Sequence, residues 1–395
     1  MITIPMLQNL YQYQYYNLFK SHDIPNYNKR AGEEGKTSAA RYRMIHKIMT
    51  EELVTGNLTP RVVDEFLFEN LYYSNMNYHF VYRLSEFVHD FNTPTDVITQ
   101  FFNENSSLNW DKLLTEESGS SLLTLRLDTE DNHLIGIKML LKIDTIRTRK
   151  FEEQDVYAGI YIDLLHNLVS FRFNLSQLER ISKEPLAIIS ELKNLLCATS
   201  VSGLLFEPLR ININSLNETA ARKCIFNLFE ELSLEAEQIL NAHTPPETED
   251  KIKEFLTTMR LRTITGDYIQ QIKAVLYQEI STKIRGSVFE KGWIFRFVFR
   301  EGLTTRASSR TDDSGPIYGS KIYWHLKELI FKERELYEAG FSWYLPWLKN
   351  GEPDSILVRM ESRNDSIILN YYRNTTFRRG DKERYVLQQI NANLQ

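Results

Sequence analysis

Trp293-Ile-Phe-Arg-Phe-Val-Phe-Arg300 decides the reading of this chain, because aromatic residues alternate in it with arginine at the period of a half-buried β-strand. A polar loop is expected next, Thr304 to Pro316, dense in hydroxyl and guanidinium groups and carrying Arg306 and Arg310. An amphipathic helix is then predicted from Tyr323 to Ala339, stopped by Gly340. Strand, polar loop and helix in that order can present donors to an anion.

Outward from this stretch the pattern alternates between helix and strand. Downstream, Ile356 to Glu361 and Ser366 to Tyr372 read as two strands joined through Arg363-Asn364-Asp365, and basic residues follow at Arg373, Arg378, Arg379, Lys382 and Arg384. Upstream, helical periodicity runs from Leu186 to Leu196, from Glu218 to Leu240, from Glu247 to Met259 and from Tyr268 to Ile284, with Thr244-Pro-Pro246 as a break. Further back, from Ser121, the period is 2: Leu123, Leu125 and Leu127 alternate with polar residues, Asp131-Asn132 makes a turn, and Leu134 to Ile143 returns. Tyr157 to Leu164 and Leu168 to Phe173 form a second predicted hairpin through His166-Asn167. The N-terminal region reads as helices: a short one around Leu7, Leu10, Tyr11 and Tyr15, one from Ala39 to Val54, one capped by Thr59-Pro60, one from Tyr78 to Asp90, and one opened by Thr93-Pro94. The fold class expected is therefore α+β. Four segments are expected: a helical N-terminal region (1–115), a small antiparallel sheet with a flanking helix (116–205), a helical middle (206–284), and a basic C-terminal module of mixed α/β character with antiparallel strands (285–395).

A chain of 395 residues exceeds a comfortable single core, which suggests two or three domains. With 42% hydrophobic and 25% charged residues it is globular rather than disordered. Two cysteines, Cys197 and Cys224, are too few for a disulfide framework or a thiolate metal site, and a reducing cytoplasm is the expected setting. Met1-Ile-Thr-Ile-Pro-Met lacks the pattern of a signal peptide, and no apolar run has the length of a membrane span. The charge is uneven. From Lys283 to Gln395 there are 19 Lys+Arg against 14 Asp+Glu, a net +5, which leaves −10 on the preceding residues. A basic third on an acidic body points to a polyanionic partner.

Several motifs carry less than they first suggest. Gly32-Glu-Glu-Gly35-Lys36-Thr37 has two residues between its glycines where a phosphate loop needs four, and a polar segment precedes it. His22-Asp23 and His89-Asp90 lack companion histidines at metal-binding spacing. Asp128, Glu130 and Asp131 with Lys138 and Lys142 resemble a nuclease site only loosely, since the Glu-x-Lys element that steadies metal and nucleophile is missing. No catalytic or metal-ligating residue is assigned.

Arginine flanked by apolar residues recurs in four predicted strands, at Arg126, Arg172, Arg296 and Arg359, and strand alternation sends each to the face opposite the core. The expected function is nucleic-acid binding, DNA or RNA, through Arg296, Arg300, Arg306, Arg310, Lys321, Arg378 and Arg379. Tyr318, Tyr323, Trp324, Tyr371 and Tyr372 are the candidates for stacking on unpaired bases. The protein is expected to be one component of a multi-protein system, of the kind active in phage–host conflict and antiviral defence. It needs no cofactor, magnesium entering only for a nuclease. The alternatives are a scaffold or sensor that meets a protein partner through the aromatic N-terminal region, and a metal-dependent nuclease.

Overall fold

The structure, a computed structural model, describes residues 2–32, 37–87, 99–100, 103–104, 109–116, 121–197, 211–259, 266–283, 288–301, 305–349, 352–372 and 377–394. The class is α+β, as expected, and the chain packs into two units: Met1–Ser215 with Asn374–Asp381, and Leu216–Arg373 with Lys382–Gln395. No helix among the described residues is long and apolar enough to cross a membrane.

The first unit opens with α1 (Ile4–Leu7), α2 (Gln12–Ser21), α3 (Tyr27–Gly32), α4 (Ser38–Thr55) and α5 (Pro60–Phe68), and a π-helical turn follows at Glu69–Ser74. The start of α5 is the one its sequence encodes: the Thr59 hydroxyl accepts from the Val62 amide, and Pro60 stands where an N–H would lack a partner. Strands β1 (Tyr78–Phe87), β2 (Leu122–Glu130), β3 (His133–Ile146), β4 (Gln154–Asp163), β5 (Leu168–Phe173) and β6 (Ile211–Asn214) form an antiparallel sheet in the order β2-β3-β4-β5-β1-β6. Two helices, α6 (Leu175–Leu178) and α7 (Pro185–Cys197), lie in the chain between β5 and β6. Both predicted turns are present, and Asp131, Asn132 and Asn167 adopt the left-handed backbone that such turns need.

The helix expected over Tyr78 to Asp90 is strand β1 as far as Phe87. Phe80, Val81, Tyr82 and Leu84 are all buried, so the run shows no clean alternation. A strand covered on both faces has no more period than a buried helix segment. The expectation for arginine fails in this unit for the same reason. Helices cover the face that Arg172 occupies, and Arg172 is only 2% exposed, with its guanidinium 4.6, 5.7 and 5.1 Å from the ring centres of Tyr72, Tyr73 and Tyr161. Its cross-strand neighbour Gly159 has no room for a side chain, since a Cβ there would lie 2.7 Å from the Met76 sulfur. Arg126 lies 3.7 Å from the centre of the Phe68 ring and donates to buried Asp64 at 2.6 Å. The returning segment 374–381 belongs to this unit, with Gly380 seated against the Tyr73 hydroxyl.

His79 stands opposite Arg172 in the β1–β5 register, fully buried, with Nε2 3.0 Å from the Met76 carbonyl oxygen. Burial above all, and then the Arg172 charge, hold its pKa well below the ordinary 6.5. A base whose pKa folding lowers stabilises the native state above its unfolded pKa, and that contribution declines as pH falls below it. Stability should therefore drop on acidification below about pH 6.5, and His79→Gln should flatten the slope by up to one proton, about 1.4 kcal/mol per pH unit. Urea unfolding at a series of pH values checks this; parallel slopes for the two proteins would refute it.

The second unit begins with α8 (Glu218–Ala242), α9 (Thr248–Thr258) and α10 (Gly266–Lys283). Then come β7 (Gly292–Glu301), β8 (Thr305–Arg310), α11 (Lys321–Glu333), β9 (Glu338–Lys349), β10 (Glu352–Arg363), β11 (Ser366–Tyr372) and α12 (Arg379–Asn393), of which the residues from Lys382 on belong to this unit. The sheet order is β8-β7-β9-β10-β11. Phe229 of α8 joins the sheet to α11, with ring centres 5.9 Å from Phe297 and 6.0 Å from Tyr323.

Two expectations are corrected here. The helix predicted to reach Ala339 ends at Arg334, which takes the left-handed conformation (φ 55°), and Gly340 lies inside β9. Gly340 is no helix stop: a Cβ there would lie 2.4 Å from Arg296 Cγ and 2.6 Å from the Phe295 ring, so its bareness admits the neighbouring strand. The loop predicted from Thr304 to Pro316 contains edge strand β8, whose hydroxyl-rich sequence carries no apolar alternation to announce it. Glu33 to Lys36, His89-Asp90 and Thr93-Pro94 lie outside the described residues.

Candidate nucleic-acid interface

Strands β7 and β8 form a two-stranded ribbon at one edge of the second unit's sheet, and their register sets the chemistry of the ribbon. Arg296 pairs with Arg310 and Arg300 with Arg306, while Phe297 meets Ser309 and Phe299 meets Ala307. Paired residues share a face, so the four arginines stand on one side of the ribbon. Phe297 and Phe299 are buried on the other side, where Phe297 packs on α8 and α11, whereas Phe295, at the bulge in the β7–β9 pairing, lies with Arg296 against Gly340 and Tyr372. Like charges directly opposite each other weaken a sheet, and this ribbon carries two such pairs, with Val298 and Ser308 between them.

The four differ in their partners. Arg296 is half-buried, with its side chain 17% exposed, forms an ion pair with Glu338 and donates to the Tyr372 hydroxyl at 3.5 Å. Arg300, Arg306 and Arg310 are exposed, and among the described residues no carboxylate pairs with any of them. Arg300 lies 4.8 Å from the centre of the Tyr337 ring. Tyr337 had no signal in the sequence, because it sat within a predicted helix. Toward β10 the cations have a carboxylate beside them: Arg359 and Arg363 both approach Glu361, at 3.9 and 3.8 Å. The arginines of this sheet with no carboxylate partner among the described residues, Arg300, Arg306 and Arg310, are on its outer two strands.

The remaining predicted residues sit elsewhere. Lys321 is exposed at the first turn of α11, next to Ser320, whose hydroxyl meets that of Ser309 at 3.2 Å on the helix side of β8. Arg378 is ion-paired with Asp381 at 2.8 Å, and Arg379 is buried; both belong to the first unit. Of the aromatic residues proposed to stack on bases, Tyr318, Tyr323, Trp324 and Tyr371 are core, and Tyr372 is half-buried.

Among the other chemical candidates Asp128, Lys138 and Lys142 are engaged structurally, whereas Glu130 and Asp131 are exposed. Asp128 is held by Lys138 at 3.2 Å and by the Tyr161 hydroxyl at 3.2 Å, and Lys142 reaches Asp155 at 2.6 Å. No group of three or more His, Cys, Asp or Glu among the described residues could hold a metal ion. Both thiols are free, and burial pushes that of Cys224 up to about 12.

The chain matches no protein-family model and no curated protein sequence.

Proposed function

We propose that the protein binds nucleic acid and that the β7–β8 ribbon is the surface that meets the phosphates. The observation that carries this is the row of Arg300, Arg306 and Arg310, exposed, mutually repelling and without carboxylates among the described residues. Such a row costs the fold stability, and an external polyanion would offset that cost. Guanidinium groups suit the role because their planar fork donates to phosphate in pairs. Each phosphate they neutralise releases condensed counterions. In this reading the protein is a binding component of a larger assembly, resident in the cytoplasm, and needs no catalytic residue of its own.

Arg306→Ala combined with Arg310→Ala tests the proposal. Affinity for single-stranded or duplex nucleic acid should fall by about tenfold or more, and the slope of log K against log salt should lessen by about two. Folding stability should change by about 0.5 kcal/mol or less. Unchanged affinity and slope would overturn the reading. If the variant also self-associated, the arginines would be guarding the β8 edge against pairing with another strand.

A further inference from the structure

A second site stands in the first unit. A cleft of about 520 Å³ opens between the α1–α2 link, the start of α4, the loop before β4 and the α6 region. That volume falls within the span of small-molecule sites, about 300–1,000 Å³. Its lining is dominated by carboxamides: Gln8, Gln12, Asn75, Gln154, Asn174 and Gln177. Several are held in place at one end. Gln154 Nε2 donates to the Gln8 carbonyl at 3.0 Å, Gln177 Nε2 to Asn9 Oδ1 at 2.6 Å, and Arg41 to Gln12 Oε1 at 3.1 Å. The other ends, Oε1 of Gln154 and Gln177 and Nε2 of Gln12, have no hydrogen bond among the described residues. Anchored amides with an acceptor or donor left over are suited to reading the polar edge of a planar ring.

Two further features narrow the ligand. Tyr11 and Tyr13 line the cleft with 61% and 58% of their surface exposed, their rings stacked with centres 5.7 Å apart. The sequence shows an aromatic cluster here, but Tyr15 and Phe19 of that cluster are core. Lys150 and Arg180 also line the cleft, both exposed, and no carboxylate lines it among the described residues. A neutral sugar would use the amides and tyrosines and leave both cations idle.

We infer that this cleft binds a nucleotide. The carboxamides take the base edge, a tyrosine stacks on the base, and Lys150 with Arg180 takes the phosphate. The nucleotide can be free or the end of a strand, and the chemistry is the same for both. The inference does not depend on the ribbon of the second unit.

Titration calorimetry of the full chain with adenosine, guanosine, cytidine and uridine 5′-monophosphates, and with short 5′-phosphorylated oligonucleotides, tests it. At least one of these ligands should bind saturably, and the same ligand without its terminal phosphate should bind about tenfold more weakly. Lys150→Ala with Arg180→Ala should reproduce that loss, and Tyr13→Ala should weaken binding by about fivefold or more. The Arg306 and Arg310 double variant should bind monophosphates as the parent does, which separates this site from the ribbon. Binding of monophosphates identifies the free nucleotide as the ligand, and binding of oligonucleotides alone identifies a strand end. The inference is overturned if nothing binds up to about 1 mM. It is also overturned if binding survives the Tyr13, Lys150 and Arg180 substitutions, or if maltose binds in place of the nucleotides.

Discussion

Gly292→Ala should leave the second unit unfolded or close to it. Gly292 opens β7 with φ 132°, a region essentially reserved for glycine, and it pairs with Trp343. A Cβ there would lie 1.9 Å from the Ser342 carbonyl oxygen and 2.8 Å from Trp343 Cα. Both atoms are backbone in the adjoining strand, so the overlap is relieved only by breaking the β7–β9 pairing. The conformational strain alone is worth about 1–3 kcal/mol. The lost pairing adds to it, against a total stability of about 5–15 kcal/mol for a typical protein. Gly319→Ala is the control, because a Cβ there would meet Thr282 at 3.6 Å, an ordinary contact. Circular dichroism and urea midpoints of the two variants decide the matter. A Gly292→Ala protein within about 1 kcal/mol of the parent would show that β7 starts differently.

Asp64→Ala should cost the first unit about 3–5 kcal/mol. Asp64 is 0% exposed and accepts from two donors, the Leu114 amide at 2.8 Å and Arg126 Nη2 at 2.6 Å. Arg126 comes from β2 and lies over Phe68, where burial, its largest influence, pulls its pKa below the usual guanidinium value while Asp64 opposes the shift. Removing the carboxylate leaves a largely buried cation uncompensated and an amide without its acceptor. Asp64→Ala with Arg126→Met should recover part of the loss, since replacing both partners of a buried pair with apolar groups is often close to neutral. Denaturant unfolding of the two single variants and the double variant measures the coupling, and a loss below about 1 kcal/mol in Asp64→Ala would mean the pair is dispensable.

Where an element depends on its own neighbours, the sequence spelled it out. The β2–β3, β4–β5 and β10–β11 hairpins follow from alternation and from Asn and Asp at their turns, and the start of α5 follows from Thr59-Pro60. Where an element depends on distant partners, it did not. β1 pairs with β5, far along the chain, and is buried on both faces, which erases its period. β9 was hidden because Glu338 and Gly340 look like a helix end, whereas Gly340 answers to Arg296 and Phe295 of another strand. The ribbon was half legible: Arg296 and Arg300 were visible as strand residues, but only the register shows that Arg310 and Arg306 stand opposite them. The carboxamide cleft could not be read at all, since its residues come from positions as far apart as Gln8, Asn75, Gln154 and Gln177.

The return of segment 374–381 to the first unit bears on how the protein is made. A ribosome releases residues 1–215 long before that segment, so the unit whose synthesis begins first cannot be finished until most of the other has also been made. Until Arg379 and Gly380 emerge, Tyr73 lacks Gly380 against its hydroxyl, and His79 lacks the nearby charge of Arg379. The same late stretch leads into α12, which the second unit also awaits. A nascent chain interrupted near Tyr372 therefore leaves both units incomplete together, the first without its residues up to Asp381 and the second without those from Lys382 onward.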